Sequence, residues 1–148
     1  MKRLSILFVC IIVLVSLAAC KMDAYKDYQV TNMRAREFTQ YEDLTFKTNT
    51  VELITDYEKY SSYHLSLDYN EEFFKNNNLL VFNVASCSSD QMEYVELRDK
   101  DGTLFPLFER KKIGENDPVT DDYILRFYCV ELSKELEYKA GKIIYNYK

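Results

Sequence analysis

The chain has 148 residues, of which 13 are tyrosine and 9 phenylalanine, but only 3 are glycine, 1 is histidine and none is tryptophan. So few glycines exclude the glycine-rich loops that bind dinucleotides or nucleoside triphosphates, and the lone histidine, His64, excludes zinc sites that need two. The formal net charge of −5 disfavours nucleic acid as a partner.

The first segment has the pattern of an export signal. Lys2 and Arg3 precede an apolar run from Leu4 to Ala19, which is shorter than the roughly 20 residues that a membrane-spanning helix needs. The run ends in Leu17-Ala18-Ala19-Cys20, which resembles the lipobox of bacterial lipoproteins. We therefore predict that residues 1–19 are removed and that Cys20 is the lipid attachment site. The alternative is an uncleaved signal anchor with an incidental cysteine.

Lipidation would place the protein on the extracytoplasmic face of the cell membrane, because two acyl chains give stable anchoring. Loss of Lys2 and Arg3 takes the formal charge from −5 to −7. We assign residues 20–47 to lipid attachment and a tether, since Lys21 to about Gln40 shows no clear period and predicts no particular conformation. Residues 48–148 then form a single domain.

Two short helices are predicted at the start of this domain. A capping-box pattern begins at Thr55, with Glu58 three residues later, and predicts a helix from about Asp56 to Tyr63. Asn70 is placed to cap a second helix that ends near Lys75, before a run of asparagines. The chain then turns to strands.

The strongest strand signal covers residues 79–85, which are apolar at nearly every position, as in a central strand covered on both faces. Residues 92–98 and 103–108 flank an Asp101-Gly102 pair, which predicts a hairpin. Residues 123–132 alternate, so that Leu125, Phe127 and Cys129 share one face.

A last strand is predicted over residues 142–147, after Gly141. Helices followed by closely spaced strands are typical of an α+β domain. The predicted fold is one or two short helices packed on an antiparallel or mixed β-sheet.

Cys87 and Cys129 remain once Cys10 leaves with the signal and Cys20 takes lipid. In an exported protein this pair forms a possible disulfide, and closing a loop of about 40 residues would contribute about 4 kcal/mol. The alternative is two buried thiols that act as small apolar residues, because both lie in or beside apolar runs. We expect the domain to fold with or without the bridge.

Side chains with catalytic or metal-binding potential occur without a supporting pattern. His64 lies among Ser61, Ser62 and Ser66, but adjacency in sequence is not the geometry of a catalytic relay. The acidic residues between 115 and 122 could bind a hard cation, although a solvated loop is the simpler interpretation. We predict no catalytic residue, no metal and no cofactor.

A family resemblance extends over roughly residues 50–135. The chain resembles the PrcB-like domain, which is found in small lipoproteins of low-GC Gram-positive bacteria and in a lipoprotein subunit of a surface protease complex. The resemblance implies a compact α+β domain without known catalytic residues that stabilises or presents a partner protein. Relatives often carry a glycine after the central strand, where this chain has Ser86-Cys87-Ser88-Ser89. The segments that carry the resemblance are Ile54–Tyr60, Asp68-Tyr69, Glu72–Phe74, Asn78–Val81, Ser86–Ser89 and Leu125–Lys134.

The sequence thus predicts a membrane-anchored module that binds or stabilises another cell-envelope protein without chemistry of its own. The alternative is a surface lipoprotein that binds a solute or a glycan through exposed tyrosines; an enzyme ranks third. Tyr57, Tyr60 and Tyr63 recur at helical spacing, which is typical of a core-facing stripe, but an exposed part of it could bind a sugar or a protein.

Overall fold

The computed structural model of the protein describes residues 25–38, 47–87, 92–110 and 124–147. The predicted signal, Cys20 and the acidic residues between 115 and 122 lie outside these ranges. Within them the chain is mostly β-strand with two short helices. The elements are β1 (Lys26–Tyr28), β2 (Met33–Phe38), β3 (Val51–Ile54), α1 (Tyr57–Ser61), α2 (Phe73–Asn76), β4 (Asn77–Ser86), β5 (Met92–Lys100), β6 (Thr103–Arg110), β7 (Ile124–Ser133), β8 (Lys139–Ala140) and β9 (Ile144–Tyr147).

The longest pairing joins β4 and β7, which run antiparallel from Asn77 opposite Ser133 to Ser86 opposite Ile124. β3 pairs with the other edge of β4, and β2 pairs with the other edge of β7. The result is an antiparallel sheet in the order β2-β7-β4-β3. The apolar run predicted as a central strand is therefore central.

A second, mixed sheet is built around the hairpin of β5 and β6. Asp101 and Gly102 adopt φ values of 52° and 75°, which are the positive values that a tight hairpin turn requires. The Asp99 side chain accepts a hydrogen bond from the Gly102 amide at 2.9 Å. The predicted hairpin is confirmed. β1 pairs antiparallel with β5, while β8 and β9 both run parallel to β6.

The antiparallel sheet is buried on both faces because β4 alternates between two clusters. Leu79 and Val81 pack with the helical segment, whereas Leu80 and Phe82 pack with residues of β5 and β6. The domain therefore has three layers, which are the helical segment over residues 55–76, the antiparallel sheet and the mixed sheet. The expected α+β class holds only coarsely, since strands predominate and form two sheets.

The helices differ in detail from their predictions. Asp56, and not Thr55, caps α1, because its extended backbone lets the carboxylate accept from the Lys59 amide at 2.8 Å. Thr55 instead donates to the Asp56 carboxylate at 3.3 Å. Asn70 does accept from the Phe73 amide at 3.0 Å, but the helix proper begins only at Phe73.

The segment assigned to the tether contains β1 and β2. Every residue of β2 except Phe38 is exposed, so no apolar period marked this strand in the sequence. Its pairing with β7 joins residues that are about 90 positions apart, and local sequence carries no signal for such a contact. The folded part of the chain therefore includes residues within 20–47.

Candidate functional site: the arginine edge

β2 forms one edge of the antiparallel sheet. Its residues pair in register with β7, from Met33 opposite Val130 to Phe38 opposite Leu125. Among the described strands none pairs with its other side. We call this strand, with the side chains of Arg34 and Arg36, the arginine edge. An open edge offers rows of backbone donors and acceptors to another chain.

The direction of these backbone groups follows from the pairing. The Glu131 amide donates to the Asn32 carbonyl at 3.2 Å. In an antiparallel ladder, every second residue bonds to the neighbouring strand, and the residues between them point their backbone groups away. Arg34 and Arg36 therefore bond to β7, whereas the amides and carbonyls of Met33, Ala35 and Glu37 point to the open side.

The side chains of Arg34 and Arg36 lie on the face that carries the helical segment. They stand opposite Cys129 and Phe127, which belong to the buried cluster beneath that segment. Opposed residues share a face of the sheet. The two arginines are exposed and lie about 7 Å apart along the strand, at about 3.4 Å per residue.

Tyr69 holds Arg34. The guanidinium carbon lies 4.9 Å from the centre of the tyrosine ring, within the range of a cation–π contact. The Tyr69 hydroxyl donates to the Glu131 carboxylate at 3.3 Å, and the Asn32 amide donates to the same carboxylate at 3.1 Å. Burial, followed by neighbouring charges, raises the pKa of Tyr69 well above its ordinary value, so the ring stays neutral at physiological pH.

The loop after α1 holds Arg36. The guanidinium Nη1 donates to the Ser66 carbonyl at 2.9 Å, and the guanidinium carbon lies 5.3 Å from the centre of the Phe38 ring. Ser66 has a φ of 51°, which is uncommon for a residue with a side chain. The buried hydroxyl of Tyr60 fixes the next residue, since it donates to the Leu67 carbonyl at 2.7 Å and accepts from its amide at 3.2 Å.

The two faces of the strand differ in charge. Within the described ranges, no carboxylate forms an ion pair with Arg34 or Arg36. On the opposite face, Glu37 is paired with Arg126 at 2.6 Å, and Arg126 also donates to Ser86 at 2.8 Å. The arginine edge therefore presents two oriented cations on one face of a chain whose formal charge is negative. Guanidinium groups bind carboxylates with two parallel hydrogen bonds.

The two cysteines singled out in the sequence lie far apart. Cys129 is a fully buried free thiol opposite Val81, and Cys87 follows the last residue of β4. The extended chain covers about 20 Å between Val81 and Cys87, at about 3.4 Å per residue, whereas a disulfide needs Cα atoms within about 7 Å. The possible disulfide between Cys87 and Cys129 is not formed.

The structure does not bring the hydroxyls beside His64 to its imidazole. Ser61 and Ser62 each donate to a backbone carbonyl of α1, at 2.9 and 2.7 Å, and Ser66 donates to the carbonyl of His64 at 3.4 Å. These serines therefore stabilise the end of the helix and the loop that follows it. Cys20 and the acidic residues between 115 and 122 lie outside the described residues.

The tyrosine stripe is largely a core feature, as its spacing indicates. Tyr60 and Tyr63 are buried, and Tyr57 is 36% exposed. Tyr63 donates to Glu52, which also forms an ion pair with Lys59 at 3.1 Å. The Tyr57 ring packs against Tyr60, with 6.1 Å between the ring centres. The stripe thus offers solvent only part of one ring.

Sequence reasoning missed the arginine edge. The available signal was the alternation of Arg34 and Arg36 with smaller or apolar residues, which is too short to separate a strand from a tether.

No known protein family, curated protein or solved structure matches the chain. In the part of the chain that the structure describes, no helix is long and apolar enough to span a membrane.

Proposed function

We propose that the protein is a lipid-anchored extracytoplasmic module that binds another cell-envelope protein through the arginine edge. The predicted signal and Cys20 supply the anchor, and the domain supplies the binding surface. The proposal assigns the protein no cofactor and no chemistry of its own.

The observation that carries the proposal is that no other described strand pairs with the outer side of β2. Proteins usually cover or shorten an edge strand, because its unpaired backbone groups bind other chains. Here the whole of β2, at six residues, is longer than the edge strand β1 with three, and five of its positions are exposed. Addition of a strand to such an edge is a recurrent mode of protein recognition.

The PrcB-like resemblance agrees with this role and belongs to the same proposal. It implies an α+β domain that stabilises or presents a partner protein, and the described domain has two short helices on one face of a sheet. Binding of a solute or glycan through tyrosines receives less support, because Tyr60 and Tyr63 are buried in the core.

Site-specific photocrosslinking in the native membrane tests the proposal. A photoreactive residue replaces Ala35, which is exposed on β2, in the full-length lipidated protein. The matched control carries the same residue at Val95, which is 42% exposed on β5. We expect a discrete adduct with another protein from position 35 and not from position 95. Equal adduct patterns at the two positions, or none at position 35, would contradict the proposal.

A further inference from the structure

We infer that the arginine edge binds an acidic extended segment of its partner, which adds to β2 as an antiparallel strand and places carboxylates opposite Arg34 and Arg36. The inference rests on the proposed function, since it names the kind of segment that the open edge takes. Three features carry it. They are the direction of the backbone groups, the lack of an ion pair between Arg34 or Arg36 and any described carboxylate, and the poor fit of a second copy of the chain.

The backbone of β2 determines where an added strand would bond. Met33, Ala35 and Glu37 have outward amides and carbonyls, so these residues form the hydrogen-bonded pairs with the incoming strand. Arg34 and Arg36 then stand in the non-hydrogen-bonded pairs, where opposed Cα atoms are only about 4.5 Å apart and side chains are in closest contact. The residues opposite the arginines are therefore the ones that the edge selects.

Carboxylates fit those two positions. Arg34 and Arg36 are oriented by Tyr69 and by the Ser66 carbonyl, at 4.9 and 2.9 Å, so little side-chain freedom is lost when a carboxylate binds. Opposite charges across a strand pair are stabilising and like charges are destabilising. The expected segment carries Asp or Glu at two positions separated by one residue, because side chains at that spacing share a face.

A second copy of the chain does not meet this requirement. Antiparallel pairing of β2 with itself opposes residues of the same face, and two registers pair most of the strand. One places Arg34 opposite Arg36, and the other places Arg36 opposite Arg36. Both bring two guanidinium groups together in the close pairs of the ladder. The same arginines that attract an acidic segment therefore keep two copies apart.

The membrane surface is the other anionic candidate near a lipid anchor. With residues 1–19 removed, the formal charge of the chain is −7, which opposes the approach of the whole domain to an extended anionic surface more than the contact of two arginines with one short segment. Lipid head groups also cannot bond to the outward amides and carbonyls as an ordered strand does. We therefore assign the edge to a peptide segment.

Peptide binding to the full-length protein in a non-ionic detergent tests the inference. The probe is a short peptide in which two glutamates alternate with valines. One control peptide has glutamines at the same positions, and a second has the two glutamates adjacent, so that they point to opposite faces. Amide hydrogen exchange by NMR reports binding residue by residue.

We expect the alternating acidic peptide to slow exchange at Met33, Ala35 and Glu37, and not at Arg34 or Arg36, whose amides already bond to β7. The Arg34→Gln/Arg36→Gln variant should weaken binding at least tenfold, and neither control peptide should match the probe. Arg98→Gln is the matched control variant, because Arg98 is ion-paired with Glu96 on β5. It should leave the affinity unchanged.

Several outcomes would overturn the inference. One is that the acidic peptide fails to protect the outward amides from exchange, and another is that the glutamine peptide protects them equally. The third is that the protein instead dimerises through β2, and the fourth is that it binds only to vesicles that contain phosphatidylglycerol. The first two outcomes leave the crosslink from position 35 to another protein free to succeed, so failure of the inference is distinguishable from failure of the proposed function. A crosslink only to a second copy, or none to any protein, would contradict both.

Discussion

At the scale of single residues, Asn83 is a polar side chain within an otherwise apolar central strand, and it is 2% exposed. Its carbonyl oxygen accepts from the Asn49 amide at 2.8 Å, and its nitrogen donates to the Lys47 carbonyl at 3.1 Å and to Thr50 at 2.9 Å. Asn83 therefore fastens the loop that precedes β3 to the middle of β4. Burial of the amide is compensated because its hydrogen bonds are made.

We predict that Asn83→Ala lowers the free energy of unfolding by about 2–3 kcal/mol, because it removes three hydrogen bonds that join the loop to β4. Chemical denaturation of the two proteins measures the difference. The control is Asn146→Ala on the exposed part of β9, which should change stability by less than about 0.5 kcal/mol. A similar small change at Asn83 would show that the loop is held by other contacts.

Burial of the Cys129 thiol makes the free energy of unfolding depend on pH in the alkaline range. Burial raises the pKa of this thiol from 9.0 to about 12. In the unfolded chain the thiol ionises near pH 9, while in the folded chain it stays protonated. Stability from this group is therefore complete below about pH 9 and is lost as the pH rises toward 12.

We predict that the unfolding free energy of the wild type falls more steeply between pH 8.5 and 9.5 than that of Cys129→Ala. The difference should be about 0.7 kcal/mol, because the unfolded thiol is on average half ionised across this interval and full ionisation would give about 1.4 kcal/mol per pH unit. Denaturation curves at the two pH values measure it, and tyrosine ionisation in the unfolded chain contributes equally to the two proteins. Parallel slopes for the two proteins would mean that the Cys129 thiolate forms equally well in the folded state.

At the scale of elements, the N-cap of α1 differs between the sequence prediction, which gave Thr55, and the structure, which shows Asp56. We predict that Asp56→Ala destabilises the domain by about 1 kcal/mol, because the Asp56 carboxylate accepts from the Lys59 amide. Thr55→Ala should cost less, since the threonine contacts only the Asp56 side chain. Thermal or chemical denaturation ranks the two variants. The reverse order would restore Thr55 as the cap.

The sequence predicts an element when the residues that determine it are close together in the chain. The apolar run of β4 and the Asp101-Gly102 turn specify structure within a few residues, and both were found. Asn70 was predicted to cap a helix and does accept from the Phe73 amide, but the helix begins only at Phe73 and its N-cap is Glu72. The partner of β2 is set by a pairing with distant residues of β7, and its exposed side chains gave no apolar pattern.

The arrangement of the strands in two sheets and the candidate site also depend on contacts between residues that are far apart in the sequence. The chain reveals separate strands, but the division into two sheets depends on which strands cross the core, as when β8 and β9 return to run parallel to β6. The arginine edge exists only because β2 ends up outermost. Arg34 and Arg36 became candidates once their opposed residues and exposure were known.

At the scale of the whole molecule, anchoring follows from the predicted lipid on Cys20. We predict that Cys20→Ala releases the protein from the membrane fraction, because a variant without acyl chains loses the apolar contact that holds it there. Fractionation after export measures this, with signal cleavage checked separately by mass. Mature protein without lipid that stays in the membrane fraction would contradict the anchoring argument.

The central claim is that the membrane-anchored domain binds a protein partner through Arg34 and Arg36. Its most direct test is the yield of the position-35 photocrosslink in cells that carry Arg34→Glu/Arg36→Glu, with denaturation confirming that the variant is folded. Arg34→Lys/Arg36→Lys keeps the charge and serves as the matched control. We predict that charge reversal removes the adduct and that the lysine variant retains much of it. An adduct of unchanged yield in the folded charge-reversed protein would contradict the claim.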